Sequence, residues 1–515
     1  MISDRSAFNG LRVLQTLALA VALTALIFAW QGRQGFELWD EGFLWYGAQR
    51  VLHGETPILD FMAYDPGRYY WSAAWMGAWH DTGIVALRAA AAFFQALGVA
   101  LGIYAISREA RRGTWPILAI AAVLLTLWMY PAFKVYDVVP CVVLVYAYAA
   151  LLQEPSSKRH LLSGIAVGLM AVLGRNHGVY GIAGGLLVMA YLCICARTSE
   201  SWRQVCCWVV GIIVGYSPVI VMALIIPGFT EAMLDSVRFL FQIKGTNLAL
   251  PVPWPWAVQY GALTAWEGFR GFVLGCFFIA IPIFSIASIV ACMIRCRRSQ
   301  TVSPLFAASA AMSLPYAHYV FSRADIVHLA QGITPFLIGM IVWTVSEKHT
   351  ARWPVAAALL AASLTVMGPI QPGWQCHISP SCVDATVAND HLKIEQGAVN
   401  DLAMLDDLAR LYASDGRPFI AAPFWPGAYA VLKRKAPVWE IYALFPRSAE
   451  FQLAEIERIQ KTDPGFVLIL DISIDGNEQT RFRNSHSLVF EYLDSHFVSV
   501  GPYKGNPAYL VYRHR

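Results

Sequence analysis

Two adjacent carboxylates, Asp40 and Glu41, interrupt an otherwise apolar and aromatic stretch of the sequence, FELWDEGFLWYG. A carboxylate beside a reacting hydroxyl group can accept its proton as a new bond forms, which makes Asp40 a candidate general base. Glu41 is a second catalytic candidate, and the pair also has the oxygen ligands that a divalent ion prefers. The structural alternative is that Asp40 caps a helix at a membrane interface and Glu41 is a solvated charge in its first turn.

Basic residues and three further acids, Asp65, Asp137 and Asp325, occur in four other short segments. These are YDPGRYYW with Arg68, PAFKVYD with Lys134 and Asp137, GRNHG with Arg175 and His177, and SRADIVH with Arg323 and His328. Cations at such positions can stabilise the charge of a departing phosphate, so these basic residues are candidate phosphate contacts. Structural alternatives are a helix cap for Asp137 and an aromatic belt with a snorkelling side chain for Arg68.

These residues lie between or at the ends of predicted membrane spans. The 515 residues are 57% hydrophobic and only 14% charged, and their mean hydropathy of +0.50 excludes an ordinary soluble protein. Apolar runs predict about eleven helical spans, which start near residues 11, 83, 115, 138, 161, 179, 204, 271, 304, 329 and 354. The first run, Leu11 to Trp30, is too long for a cleavable signal and predicts a first span.

The distribution of basic residues predicts the orientation of these spans. If the N-terminus is cytoplasmic, the loops REARRG, EPSSKRH, RTSESWR, RCRRSQ and SEKHTAR all lie inside, and all carry basic residues. The candidate residues then share the outer side. Because ionisable groups at membrane depth are costly, we expect them to face a shared cavity or one another.

A change in composition near residue 371 predicts a domain boundary. Residues 1–371 form a predicted membrane domain with a long outer loop at 32–82, and residues 372–515 form a predicted extracytoplasmic α/β domain. In the second domain we expect a helix at 390–413, strands at 419–424 and 466–472, helices near 447–461 and 486–496, and two final strands. Alternating strands and helices predict a partly parallel sheet.

Two cysteines lie apart from the spans. Cys376 and Cys382 fall on the predicted outer side, where an oxidising compartment would favour a disulfide between them. A metal site is disfavoured because only His377 lies nearby. The other eight cysteines lie in or at the ends of predicted spans and are expected to be small buried apolar residues.

The order of these features resembles the C-type (GT-C fold) membrane glycosyltransferases, among them the protein O-mannosyltransferases and the lipid A aminoarabinose transferases. The shared features are a long first span, an outer Asp-Glu pair before an interfacial helix, the aromatic YDPGRYYW stretch, a short second outer loop with Lys134 before Asp137, and an outer C-terminal domain. The motifs cover roughly the first 180 residues, and the rest of the chain is similar in topology alone.

The resemblance implies a sugar donor on polyprenyl phosphate. It implies that Asp40 matches the first-loop acid, which acts as base or orienter, and that Asp137 matches the acid that supports it. Two motifs depart from the family: Pro66-Gly67-Arg68 stands in place of a Lys-Pro-Pro pattern, and Arg175-Asn176-His177-Gly178 in place of a lysine-glycine. These departures leave the role of Arg68 and the identity of the donor open.

The expected activity is transfer of a sugar from polyprenyl phosphate to a hydroxyl group of a glycan, lipid or protein. Phosphate is a good leaving group, so a single base and inversion of the anomeric centre form the simplest mechanism. No cofactor is expected, and a divalent ion at Asp40 and Glu41 is disfavoured because no DxD pattern adjoins them. Membrane lipid is an expected partner and nucleic acid is not, because the net charge of +4 mostly reflects the cytoplasmic loops.

The expected location is the inner membrane of a bacterium, with the N-terminus in the cytoplasm and the C-terminal domain outside it. Two other classes compete with the glycosyltransferase. One is a secondary transporter or flippase of a lipid-linked or anionic solute, which the clustering of charge at outer helix ends disfavours. The other is a non-catalytic scaffold that presents the C-terminal domain.

Overall fold

The computed structural model describes residues 2–110, 115–195, 202–346, 351–378 and 381–515. The chain divides into two compact units, each built from separate stretches. Unit 1 comprises residues 1–30, 91–225 and 247–374, and unit 2 comprises residues 31–90, 226–246 and 375–515. Parts of three loops predicted to be cytoplasmic, at 108–113, 197–203 and 346–352, lie outside the described residues.

Helices dominate the first 378 residues. In chain order they are α1 (Ile2–Gln31), α2 (Asp40–Leu52), α3 (Gly67–Ala78), α4 (Ile84–Glu109), α5 (Trp115–Leu127), α6 (Val135–Gln153), α7 (Ser157–Leu173), α8 (Arg175–Cys195), α9 (Trp202–Ile225), α10 (Phe229–Ile243), α11 (Ala265–Arg297), α12 (Pro304–Ser322), α13 (Ile326–Gly332), α14 (Thr334–Ser346), α15 (Arg352–Met367) and α16 (Pro372–Ile378).

Long apolar helices make the chain a multi-pass membrane protein. Within the described residues, six helices are long and apolar enough to cross a bilayer, namely α1, α4, α6, α8, α9 and α11. The pairs α13–α14 and α15–α16 are further candidates, bent by 55° and 66°. Every predicted span lies on a helix, but the count of about eleven is not confirmed, because only these six to eight candidates have the required length and hydropathy.

Glycines allow two helices of unit 1 to pack backbone against backbone. Gly164 and Gly168 of α7 meet Gly211 and Gly215 of α9, and a Cβ atom on Gly168 would lie 2.2 Å from the carbonyl oxygen of Ile212. Small residues four apart permit such close helix contacts in lipid, where van der Waals packing contributes to helix association. The two helices therefore form one rigid pair.

Unit 2 combines the predicted outer loop with the C-terminal region. Its C-terminal elements are β1 (Cys382–Val387), β2 (Asp390–Glu395), α17 (Gln396–Tyr412), β3 (Ile420–Ala422), α18 (Pro426–Val431), α19 (Ala449–Thr462), β4 (Phe466–Leu470), α20 (Phe482–Ser485), α21 (Ser487–His496), β5 (Val498–Pro502) and β6 (Tyr509–Arg513). The domain boundary predicted near residue 371 rests on composition and stays a prediction. Unit 2 is a division by contacts, and it also includes residues 31–90 and 226–246.

A four-stranded sheet forms the centre of the C-terminal region. Its strand order is β3-β4-β6-β5, with β3 parallel to β4 and the other pairs antiparallel. All five residues of β4, FVLIL, are buried, as expected for a central strand covered on both faces. The predicted α/β fold with a partly parallel sheet is confirmed.

The predicted helix at 390–413 is wrong in its first turn and a half. Residues 390–395 form β2, which pairs with β1 in an antiparallel hairpin, and the helix α17 begins only at Gln396. Leu392 and Ile394 are buried at alternate positions, which is the period of a strand and not of a helix. The chain turns between the strands at Ala388, whose φ is 53°.

Four cysteines form two disulfides. Cys376 pairs with Cys382 in unit 2, and Cys195 pairs with Cys296 in unit 1. Cys195 and Cys296 were expected to be unpaired, small buried apolar residues, and their disulfide differs from that expectation. Because Cys195 ends α8 and Cys296 lies in the last turn of α11, this disulfide joins two helix ends that the sequence places on the cytoplasmic side.

Candidate active site

Asp40 is the first residue of α2 in unit 2. The helix begins after Trp39, whose side chain makes no capping hydrogen bond. The Asp40 carboxylate is partly exposed, and its Oδ1 accepts a hydrogen bond of 3.1 Å from the hydroxyl of Tyr442. Burial and the adjacent carboxylate raise the pKa of Tyr442 well above its usual value, so the phenol remains protonated and can donate. An accessible carboxylate with a fixed donor has the properties that a general base needs.

Glu41 has a different environment from its neighbour. Its side chain is buried, and both carboxylate oxygens accept hydrogen bonds from Arg88, at 2.7 and 2.8 Å. Arg88 also donates to the carbonyl oxygens of Gly32, Gln34 and Gly35. The structural alternative predicted a solvated Glu41, and this prediction is wrong. The ion pair of Glu41 and Arg88 is buried and ties residues 32–35 to α2. The predicted catalytic role of Glu41 stays a prediction.

Arg68 lies in the first turn of α3, also in unit 2. Its side chain is only 4% exposed, and its guanidinium carbon lies 4.8 Å from the centre of the Tyr64 ring. This arrangement is a cation–π contact and differs from a side chain that snorkels towards water. Its role as a phosphate contact stays a prediction.

Asp137 and His177, two of the predicted residues, meet in unit 1. Asp137 lies in the first turn of α6 and is 4% exposed, whereas His177 in α8 is fully buried. The Nε2 atom of His177 lies 3.5 Å from Asp137 Oδ1, and its Nδ1 atom lies 2.9 Å from the hydroxyl of Tyr316. One ring nitrogen thus faces the acid without a hydrogen bond to it, and the other lies within hydrogen-bond distance of Tyr316.

A second predicted group in unit 1 also comes together. Asp325 caps α13, accepts a 2.7 Å hydrogen bond from Arg323 and lies 2.8 Å from the Nδ1 atom of His328. Burial opposes ionisation of Asp325, but His328 and Arg323 outweigh it and hold the pKa of this carboxyl below its usual value. Arg323 also donates to the carbonyl oxygen of Leu248, so part of its donor capacity is used within the protein.

The remaining predicted cations lie at helix starts of unit 1. Lys134 ends a short 3-10 turn directly before α6, and its Nζ atom lies 5.9 Å from the centre of the Phe133 ring. Arg175 is the first residue of α8 and is partly exposed. Both positions are compatible with binding an anion.

Sequence reasoning missed three of the partners. Arg88 could have been found, because a single arginine in the apolar run IVALRAAAAF must have a partner or reach water. Tyr316 and Tyr442 gave no such signal, since tyrosine is common at membrane interfaces and Tyr442 is 402 residues from Asp40.

Among the described residues, no group of three or more His, Cys, Asp or Glu side chains is arranged to hold a metal ion. At the adjacent acids, both oxygens of Glu41 are engaged by Arg88, so the two carboxylates do not present a joint oxygen site.

Comparison with known proteins identifies the fold. No family model and no curated protein matches the sequence. The structure of ArnT from Cupriavidus metallidurans bound to undecaprenyl phosphate is similar with a TM-score of 0.53 and 12% identity, over 96% of this chain and 97% of that one. An archaeal oligosaccharyltransferase, AglB from Archaeoglobus fulgidus in complex with an inhibitory peptide and a dolichol-phosphate, has a TM-score of 0.42 and 13% identity, over 99% of this chain and 74% of that one.

The ArnT similarity confirms the predicted fold class. ArnT is a lipid A aminoarabinose transferase with the GT-C fold, and the match extends through both its membrane helices and its C-terminal region, as the coverage of both chains shows. The chain therefore has the fold of the GT-C membrane glycosyltransferases.

Proposed function

We propose that this protein transfers a sugar from a polyprenyl-phosphate donor to a hydroxyl acceptor. The observation that carries the proposal is the fold, which is shared along 96% of the chain with a protein crystallised with undecaprenyl phosphate. The step from fold to activity is an analogy. It gains support from the residues, because an accessible carboxylate at Asp40 has the chemistry that such a transfer needs.

The proposed reaction needs one base and a stabilised leaving group. Asp40 takes the proton of the acceptor hydroxyl while the acceptor oxygen forms a bond to the anomeric carbon. The bond from that carbon to the phosphate oxygen breaks, and polyprenyl phosphate departs with the electron pair. Attack from the face opposite the phosphate inverts the anomeric centre.

We assign supporting roles to the other predicted residues. Asp137 is the supporting acid, and Lys134, Arg68, Arg175, Arg323 and His328 are the candidate cations for phosphate. His177 was also predicted to bind phosphate, but its side chain is fully buried, with Nδ1 within hydrogen-bond distance of Tyr316 and Nε2 3.5 Å from the Asp137 carboxylate. A role for His177 in orienting Asp137 accounts better for this geometry.

The proposed reaction uses no cofactor. The engagement of both Glu41 oxygens by Arg88 supports this, because a divalent ion at the acid pair would have to displace a buried ion pair. Unchanged transfer after treatment with EDTA is the expected result. Loss of transfer that added Mg²⁺ or Mn²⁺ restores would contradict it.

The proposed location is a bacterial inner membrane, with the N-terminus in the cytoplasm. The basic residues of the five predicted cytoplasmic loops support this orientation. The C-terminal region would then lie outside the cytoplasm, where lipid-linked donors meet glycan, lipid or protein acceptors.

The direct test uses purified protein in lipid nanodiscs with a panel of polyprenyl-phosphate sugars. Release of polyprenyl phosphate that requires a hydroxyl acceptor is the expected result, with glycan, lipid and peptide acceptors tested separately. The same protein in sealed vesicles tests the transporter alternative, because a transporter would move solute into the vesicles. Accumulation of an unmodified solute without any transfer would contradict the proposed function.

A further inference from the structure

The hydrogen bond between Tyr442 and Asp40 joins residues that are 402 positions apart within unit 2. The aromatic ring of Tyr442 also packs on α2, because its centre lies 5.4 Å from that of Phe43. The centre of the Phe424 ring lies 6.3 Å from that of Tyr442. The phenol is thus held both through its ring and through its hydroxyl group.

The segment that carries Tyr442 is docked along α2. The backbone N–H of Gly427 donates to the carbonyl oxygen of Leu38, just before the helix starts, at 2.8 Å. Further along, the N–H of Ala436 donates to the hydroxyl of Tyr46, in the second turn of α2, at 3.0 Å. The segment thus contacts α2 from its start to its second turn, and at Tyr442 the chain is again beside the helix start that presents Asp40.

We propose that Tyr442 is a positioning residue for the catalytic carboxylate, an inference that rests on the proposed role of Asp40 as base. The hydroxyl holds Oδ1 of Asp40 and so fixes the rotation of the carboxylate about its side-chain bonds. A donated hydrogen bond also stabilises the charged form of a carboxylate, which is the form that accepts a proton. The C-terminal region would thereby contribute a residue that acts on the reaction through Asp40.

The pair Tyr512 and Asp494 supplies a matched control. Tyr512 in β6 donates to Asp494 Oδ1 at the same distance of 3.1 Å, and it lies in the same unit as Tyr442. Replacing either tyrosine by phenylalanine removes one hydroxyl and one Tyr–Asp hydrogen bond. Only the change at position 442 should affect catalysis.

The experiment measures steady-state transfer from a polyprenyl-phosphate sugar as a function of pH. For Tyr442→Phe we expect kcat to fall about tenfold with an unchanged KM for the donor, as for loss of one hydrogen bond to a charged group. The acidic limb of its pH profile should move to higher pH, because the charged carboxylate has lost a donor while the nearby Glu37 and Tyr64 are unchanged. Tyr512→Phe should keep the wild-type kcat and the wild-type profile.

Two further variants distinguish a positioning role of Tyr442 from a general loss of folding. In the Asp40→Asn background, Tyr442→Phe should lower the rate no further, since the two residues act as one unit. Replacement of Tyr442 by 3-fluorotyrosine keeps the fold and makes the phenol a stronger donor, so the acidic limb should move to lower pH. This variant tests the inference even if Tyr442→Phe folds poorly.

The results separate the inference from the proposed function. Wild-type kcat and pH profile in Tyr442→Phe, together with an inactive Asp40→Asn, would overturn the role of Tyr442 alone. Transfer at the wild-type rate by Asp40→Asn would overturn the proposed base itself. Equal loss of activity in Tyr442→Phe and Tyr512→Phe would indicate a structural role and would also overturn the inference.

Discussion

Asp40 and Glu41 are neighbours in the chain, but their side chains contact different partners. Successive residues of a helix point about 100° apart, so the first turn of α2 directs the two acids to different sides. Asp40 meets the Tyr442 hydroxyl at a partly exposed position, whereas Glu41 is buried against Arg88. Two adjacent acidic side chains therefore have different environments, and only Asp40 keeps a partly exposed carboxylate for the proposed chemistry.

The buried ion pair makes a prediction about stability. Arg88→Met should lower the free energy of unfolding by about 3–5 kcal/mol, because Glu41 is left as an uncompensated buried charge. The control is Arg410→Met, which breaks the exposed pair Asp407–Arg410 and should cost less than about 1 kcal/mol. Thermal unfolding of the purified variants in one detergent measures both, and equal losses would contradict the distinction.

At the residue level, the sequence predicted ionisable groups better than their partners. Charged residues in an apolar chain stand out, so these groups could be named. The structure places Asp137 near His177, and both Arg323 and His328 against Asp325. Tyr442 could not be named, because contacts over hundreds of residues depend on tertiary packing and not on local pattern. The role of each named residue stays a prediction until variants are measured.

At the element scale, α2 is positioned by a close contact with α18. A Cβ atom on Gly42 would lie 2.4 Å from the Cα atom of Gly427, well inside van der Waals contact. The two helices can approach so closely only because both positions lack a side chain. Glycines in FELWDEGFLWYG and FWPGAYAV thus set the location of Asp40.

This contact predicts that one added methyl group disturbs the site. Gly42→Ala should lower stability by about 1–3 kcal/mol, because α2 must move away from α18. Transfer should fall as well, since Asp40 moves with the helix. The control is Gly397→Ala in α17, where nothing lies within 4 Å of the added atom and no loss is expected. Thermal unfolding and the transfer assay check both variants, and a fully active, stable Gly42→Ala would contradict this account of α2.

Most helices and strands could be predicted from the sequence because their apolar residues recur at the regular spacing of a helix or a strand. The strands at 420–422 and 466–470 and the helices at 449–462 and 487–496 lie within a few residues of the expected positions. The helix expected from residue 390 failed because HLKIE has the alternation of a strand, and its partner strand lies only a short turn away. The bends between α13 and α14 and between α15 and α16 could not be predicted, since hydropathy carries no information on the direction of a helix axis.

At the scale of the whole molecule, a buried acidic cluster should make stability depend on pH. Glu455 is 3% exposed, and burial raises its pKa from 4.5 to about 7, with nearby Arg458 opposing the shift and Glu440 adding to it. The carboxylate accepts a hydrogen bond from the backbone of Trp439. Trp439 in turn donates through its indole to the carbonyl oxygen of Ile58, so the cluster supports the link to the outer loop.

The sign of the pH dependence follows from the raised pKa. Between pH 4.5 and about 7 the folded protein holds a proton on Glu455 that the unfolded chain has lost, so this contribution to stability declines as pH rises through that window. The change amounts to about 3 kcal/mol at most. Glu455→Gln should remove this part of the decline, whereas Glu450→Gln, an exposed acid on the same helix, should not. Unfolding midpoints from pH 5 to 8 measure the difference, and parallel curves for wild type and Glu455→Gln would contradict it.

In the proposed function, Asp40 is the base of a polyprenyl-phosphate glycosyl transfer. The most direct measurement is the single-turnover rate of Asp40→Asn with a saturating polyprenyl-phosphate sugar and acceptor, beside the exposed control Asp384→Asn. We predict a fall of at least about a hundredfold for Asp40→Asn with unchanged donor affinity, and a wild-type rate for the control. Transfer by Asp40→Asn at the wild-type rate would contradict the claim.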